Sequence, residues 1–414
     1  MPVRRAPHPV VWTILYLPFG ALSGFVTVAL TFQASLHGLS ISEGALLNGA
    51  QLLSQWLKWM WAPLVDATLS PRRWYVISTV LSAVGVLAMS ILPLGPHTLG
   101  ALLAIIAVAS LINSVVGMSV EALMATSTTP EQIGRVSAWF QVGNLGGAGA
   151  GGGLGLWLFQ KLPAAWMTGA IVGGLFVLCC AALRFTASDP SPSHANGDGP
   201  RPGARAAVTQ VIRDLGVMLK SRGGRLAVIL CALPVGTGAA QGILTQAKVA
   251  AAWGAGAEHV ALVQGFLSAI VTAGGCFAGG ALCRRLHPRT AYAAIGLALA
   301  AIAVVMGAGP ASVSAYVAGS LIYAFGVGLA FAAFTALVLD AMGPGSAATK
   351  YNVFASLANF PLWWLGLLLG VVAERGGPRR MLFTEAALGL AGVAVFALTV
   401  RLARPHPAAP PRAA

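Results

Sequence analysis

Apolar runs of about 20 residues or more recur along the chain from residue 11 to residue 402, parted by short polar stretches. A helix rises 1.5 Å per residue, so a run of that length crosses roughly 30 Å of hydrocarbon. Twelve runs are countable, at about 11–34, 43–65, 73–94, 98–125, 133–160, 164–186, 224–250, 258–283, 289–309, 312–341, 349–373 and 379–402. In lipid only helices or closed barrels satisfy the backbone, and these runs lack the period-two alternation of a membrane strand. The pattern predicts an all-α membrane protein with twelve transmembrane helices. The first run is too long for the apolar part of a signal peptide and no small-residue cleavage site follows it, so it is expected to remain as a helix.

The runs fall into two groups of six. Residues 187–223 between them open with the Pro/Ser/Gly-rich ASDPSPSHANGDGPRPG, which predicts a flexible cytoplasmic linker. Further on, Val208, Val211, Ile212, Leu215 and Leu219 fall at helical spacing beside Arg205, Arg213 and Lys220. That piece reads either as an interfacial helix on an anionic leaflet or as a solvated connector. The two groups also look like copies. LPFG at Leu17 to Gly20 returns as LPVG at Leu233 to Gly236, 216 residues later, and Pro71-Arg72 returns as Pro288-Arg289 after 217. Arg135 and Asn144 match Lys350 and Asn359, both after 215. The expected organisation is two pseudo-symmetric six-helix halves, 1–186 and 224–414, around the linker.

Composition agrees, with 57% hydrophobic and 9% charged residues in 414, where a soluble domain carries roughly a quarter charged. The formal net charge of +14 would suit nucleic acid, but the placement of the charge excludes that. With a cytoplasmic N-terminus, 19 of the 25 Lys and Arg residues fall on the inner side and five on the outer, as the positive-inside rule requires. Both termini are then cytoplasmic. Arg375, Arg379 and Arg380 are the exception, on the outer side. The five cysteines sit in or beside apolar runs and suggest neither a disulfide nor a metal framework. No soluble segment is large enough for an active site, so neither enzyme chemistry nor a cofactor is expected.

Polar residues inside the runs carry the candidate chemistry, because such residues should face protein or water. Asn48, Gln51, Gln55 and Lys58 follow at spacings of 3, 4 and 3, one stripe along the second helix. Lys58 either enters a central cavity or snorkels to the cytoplasmic interface. The tilt of Cα–Cβ bonds toward the helix N-terminus favours the cavity, with Tyr16, Trp56 and Trp59 as aromatic company. Thr237, Gln241 and Thr245 form a matching stripe in the seventh run, and Lys248 beyond them reads as an interface anchor. Glu121 in the fourth run and Asp340 at the end of the tenth are candidate proton carriers. The alternative is that they pair with Arg135 and Lys350 as gate salt bridges. The glycine run Gly143 to Gly155 fits G-x-G-x-x-G, but no strand precedes it, and close helix packing is the better reading.

Two parallel six-helix repeats joined by a long cytoplasmic loop resemble the major facilitator superfamily, whose substrate path runs between the halves. The family's gate motif after the second helix, G-x-x-x-D followed by basic residues, is recognisable in Ala62, Asp66, Arg72 and Arg73, with alanine replacing the glycine and a longer spacing before the arginines. In the second copy Gly279 is kept and Cys283 replaces the acid. The segment KWMWAPLVD, Lys58 to Asp66, with Glu121-Ala122 and ATKYNVFASLANFP, Ala348 to Pro361, is similar to AmpG-like permeases, which import muropeptides, acetyl-CoA or siderophores. The resemblance implies a monomeric, proton-driven importer of an anionic or amphiphilic small molecule in a bacterial inner membrane. An exporter of small amphiphiles shares the fold, although the Gly-Pro usual in the fifth helix of such exporters is absent. A membrane sensor or assembly protein is the remaining alternative. An offset of 215 from Lys58 gives Ala273, so the site is expected to be asymmetric.

Overall fold

A helix in lipid leaves backbone groups unpaired only where protein or water takes over the bond, and the helices of this chain sort by that rule. The computed structural model describes residues 7–61, 65, 68–127, 133–186, 209, 213, 216, 229, 232–342 and 356–402. In the first half, α1 spans Val10–Leu36, α2 Ile41–Leu57, α3 Pro71–Ile91, α4 Leu99–Ser127, α5 133–161 and α6 Ala165–Phe185. In the second, α7 covers 233–250, α8 Ala257–Arg285, α9 Pro288–Ala308, α10 Val313–Met342, α11 359–376 and α12 378–402, the last two parted at Gly377. Each of the twelve apolar runs holds one of these elements; the starts predicted for the seventh and eleventh, at 224 and 349, lie outside the described residues. Most of the linker, including all but residues 209, 213 and 216 of the predicted piece around 208–219, lies outside the described residues.

By length and apolarity eight stretches of the described residues qualify as membrane spans, one of them holding both α11 and α12. The helices that do not qualify are α2, α5 and α7, which carry the polar stripes and the glycine run. Two-thirds of the apolar stretch of α1 is buried, against 39–50% in the other seven, so α1 is the most deeply buried of these eight.

The repeat is visible in three dimensions. Pro71 and Pro288 open α3 and α9 at the first helical turn, where a missing N–H costs nothing. Four residues later, buried Tyr75 donates to Leu15 O at 2.9 Å, and buried Tyr292 donates to Val235 O at 2.8 Å. Each tyrosine thus ties the third helix of its half to the first.

The first helices themselves differ. LPFG lies within α1, with Pro18 inside the helix, whereas LPVG lies in unwound chain. The sequence pattern predicts a continuous seventh helix; the described part of α7 is helical only at Ala240–Leu244 and Ala247–Ala250. The cause is local. Gly236 and Gly238 adopt φ of 62° and 69°, a left-handed conformation that ends a right-handed helix. Pro234 adds a missing donor, and Gln246 is extended at φ −72°, ψ 139°.

The glycine run in α5 packs as the spacing suggests. Its π-helical turn Ala150–Leu154 meets the π-helical turn Ala261–Leu267 of α8 across the halves, where a Cβ on Gly265 would sit 2.5 Å from Gly153 Cα. Facing α1, a Cβ on Gly151 would overlap the carbonyl of Ala21. Gly151→Val should therefore lower stability by about 1–3 kcal/mol, the usual cost of overpacking, while Gly146→Val, with open space around it, leaves the melting temperature in detergent unchanged. Equal melting of the two variants would refute this packing.

Candidate functional site

A cavity of about 490 Å³ lies between the halves. Its wall is drawn from α1, α2, α4 and α5 of one half and α7, α8, α10 and α11 of the other; α3, α6, α9 and α12 contribute no described residue to it. Asn48, Gln51, Gln55 and Lys58 line it from α2, Tyr16 from α1, Glu121 from α4, and Thr237, Gln241 and Thr245 from α7. Trp59 is not in the wall: α2 tightens to a 3₁₀ turn at Lys58–Met60, which ends the helical stripe at Lys58. Trp56 is also outside it. Its ring packs against Phe360 at 5.5 Å and Trp363 at 5.9 Å, and of these three rings Trp363 of α11 is the one that reaches the cavity.

The stripes divide by what their side chains already hold. Gln51 donates to Ser23 Oγ at 2.5 Å and accepts from Thr27 Oγ1 at 3.2 Å, fixing α2 to α1. Asn48 Nδ2 crosses to Gly242 O at 3.2 Å, and Thr245 Oγ1 crosses to Thr27 O at 2.8 Å. Gln55 and Lys58 have no partner among the described residues. An intramembrane ammonium without a counter-ion is costly unless water or a ligand solvates it, and the cavity supplies that space. Tyr16 donates to Glu121 Oε1 at 3.4 Å and packs on Phe140 at 3.8 Å, so the carboxylate stands at the wall beside an aromatic pair.

Several buried oxygens in the wall lack any hydrogen-bond partner: Asn48 Oδ1, Asn113 Oδ1, Gln264 Oε1 and the hydroxyls of Ser110 and Ser268. Buried polar groups are normally paired, so these atoms are the places in the wall where water or a bound molecule would form hydrogen bonds. Gln264, Ser268 and Thr272 form a third stripe, on α8 at four-residue spacing, which the sequence reading passed over although the signal is the same as in α2. Asn144 and Asn359, matched there only as repeat positions, both line the cavity.

One end of the bundle is closed by bonds between the halves. Lys248 Nζ donates to Leu39 O at 2.7 Å, Gln246 Nε2 to Ile41 O at 3.1 Å, and the Glu374 carboxylate accepts from Ile41 N and Ser42 N at the start of α2. Lys248 is thus a clasp between the halves as well as an end-of-helix residue. Arg379, one of the three arginines that break the charge rule, donates to Gly309 O at 3.0 Å where α9 ends, a favourable place for a cation. At the opposite end, Arg72 donates to Leu183 O at 2.6 Å, within its own half, and Arg73 is exposed. Asp66 and Lys350 lie outside the described residues, and of Arg135 and Asp340 the structure describes only their places in α5 and α10.

The profile described as Major Facilitator Superfamily matches residues 12–361. The chain belongs to the major facilitator superfamily. It is a multi-pass membrane transporter of that family and not an enzyme. No curated protein sequence matches it significantly. Among solved structures, a superfamily fold of the same extent is found in a bacterial homolog of the human lysosomal transporter Spinster, inward-facing and unoccupied. That match has a TM-score of 0.73 and 15% identity over 97% of this chain and 98% of that one. The nucleoside transporter NupG gives 0.70 and 13% identity over 95% and 98%.

If the wall is assigned correctly, Lys58→Cys and Gln241→Cys, introduced into a cysteine-free chain in membranes, react with a water-soluble maleimide, and Leu47→Cys, fully buried, does not. Protection of Lys58→Cys at the level of Leu47→Cys would remove Lys58 from the cavity.

Proposed function

We propose that this superfamily member is a proton-driven importer of an anionic, hydroxyl- or amide-rich small molecule, working by alternating access in a bacterial inner membrane with both termini cytoplasmic. The observation that carries this reading is the Lys58 ammonium, without a partner among the described residues, in a cavity where Asn48 Oδ1, Asn113 Oδ1 and Gln264 Oε1 are buried acceptors without a donor. An anion would meet Lys58 and Gln55, while hydroxyl or amide donors of the same molecule would meet Asn48, Asn113 and Gln264. A cavity of about 490 Å³ is within the range that holds a drug-sized ligand. Muropeptides, siderophores and CoA thioesters, the cargo classes of the AmpG-like permeases that KWMWAPLVD resembles, combine those features.

Proton coupling is assigned to Glu121, which stands at the wall with Tyr16, and to Asp340. A carboxylic acid at such a place can exchange a proton with cavity water, and losing that proton changes its attraction to cargo and to Lys58. The clasped end of the bundle is the end that the charge rule makes external, so the cavity reading is inward-facing. Asp66, Arg72, Arg73, Arg135 and Lys350 remain proposed members of the cytoplasmic gate. Transport in the opposite direction is the competing reading, and the direction of accumulation decides between them.

A thermal-shift screen with muropeptides, ferric siderophores and CoA thioesters selects the cargo. Uptake of that compound into proteoliposomes should rise with an inward pH gradient and fall at least tenfold in Lys58→Ala, since a hydrogen bond to a charged group contributes about 1.5–3 kcal/mol. Uptake indifferent to the gradient would sink proton coupling; normal uptake by Lys58→Ala would sink the anion site.

A further inference from the structure

Behind α7, on the side away from the main cavity, is a second pocket of about 20 Å³, enough for one water molecule. It is lined by Glu385 of α12, Tyr323 of α10, and Pro234, Gly236, Thr237 and Gly238 of the unwound stretch. Glu385 sits seven residues into α12, about 10 Å along the helix axis from Pro378, and is 93% buried. Its Oε1 accepts from Ala240 N at 3.1 Å, where α7 resumes as helix. Its Oε2 is buried with no hydrogen bond of good geometry among the described residues, and the Tyr323 hydroxyl is the side-chain group that interacts with the carboxylate. Thr237 and Gly238 line this pocket on one side and the main cavity on the other, so a single layer of unwound backbone separates Glu385 from the cargo.

An isolated buried carboxylate is far more costly than its neutral acid. Among the described residues that line the pocket, Tyr323 is the other titratable group, and no basic side chain faces Glu385 from α7, α9, α10 or α12. A metal ion fits poorly. Hard cations take about six or more oxygens, whereas the side chains lining the pocket offer a carboxylate and the Tyr323 and Thr237 hydroxyls, and about 20 Å³ leaves room for no more than one water to add to them. The main-chain oxygens of Leu233, Val235 and Gly238 already accept from Val235 N, Tyr292 OH and Gln241 N.

We propose that Glu385 is a proton-binding site that sets how firmly α7 is held. In the inward-facing protein it is a neutral acid, its proton on Oε2 directed to the Tyr323 hydroxyl oxygen. On release the O–H bond breaks, the proton passes to water of the main cavity through the Thr237–Gly238 layer, and the carboxylate keeps the electron pair. The bond from Ala240 N then becomes charge-assisted and tightens, drawing the start of helical α7 toward α12. Rebinding a proton loosens it. The site deepens the proton-coupled reading above and rests on it for its role in transport, while its existence is testable separately.

The test is infrared spectroscopy of the purified protein in lipid at neutral pH, in H₂O and D₂O, with choline as the only added cation. The native chain should show a protonated-carboxyl absorption that moves in D₂O, is lost in Glu385→Gln, persists in Glu121→Gln, and shifts in Tyr323→Phe. Glutamine keeps an acceptor for Ala240 N, and gel filtration with a thermal melt confirms that the variant is folded. An absorption unchanged by Glu385→Gln overturns the site, as does bleaching by sodium, which would make it a metal-cation site. Gradient-driven uptake together with an unchanged Glu385→Gln spectrum would reject this site and leave the transport reading standing. A lost absorption in a carrier indifferent to the gradient would reject the coupling and retain the site.

Discussion

Opening a helix at bilayer depth exposes backbone groups that lipid cannot satisfy, and in this chain that constraint falls on α7. Pro234, two left-handed glycines and the extended Gln246 break it twice, so its polar groups must find partners on neighbouring helices. They find them on both sides. Thr245 and Gln246 bond to main-chain oxygens of α1 and α2 in the opposite half, Asn48 returns a bond to Gly242, and Glu385 takes Ala240 N from behind. The break therefore joins the halves at one end and connects a buried acid to the cargo wall.

That arrangement explains why the polar stripe of α2 is not uniform in purpose. Asn48 and Gln51 hold α7 and α1, while Gln55 and Lys58 line the cavity without a partner among the described residues and are the two we propose to meet a ligand. The glycines of α5 and α8 supply the other requirement. Their lack of a Cβ lets two π-helical turns from opposite halves touch backbone to backbone. Small residues give close approach where hydrocarbon offers no driving force for association, so this seam can part without exposing a large apolar face.

The fold was legible because a membrane forces length and apolarity on each helix, and because the superfamily's repeat left Pro71 and Pro288 in phase. The cavity was legible in part, since a polar residue in an apolar run has few places to go. Lys58, Glu121 and Gln241 followed from that reasoning. Trp59 did not: it was expected only as an aromatic neighbour of Lys58, and α2 becomes a 3₁₀ turn at Lys58–Met60, where the residue next in sequence leaves the wall. The break in α7 was missed although Pro234, Gly236 and Gly238 stood in the sequence, because apolar continuity outweighed them. Glu385 was overlooked as well, an acid within the apolar run 379–402 that carried the same signal as Glu121. Its partner is the backbone of Ala240, 145 residues away, and no side-chain pattern announces such a contact.

The central claim is that bonds from α7 to α1 and α2 hold one end of the carrier shut, and it can be measured as a distance. Spin labels on Leu36 and Ala252, both exposed at that end on opposite halves, report the seam by pulsed electron-spin resonance in lipid. The account predicts a single short distance in the native chain, and a longer population growing in when Asn48→Ala, Thr245→Val and Gln246→Ala are combined. A distribution that the triple variant leaves unchanged would contradict it.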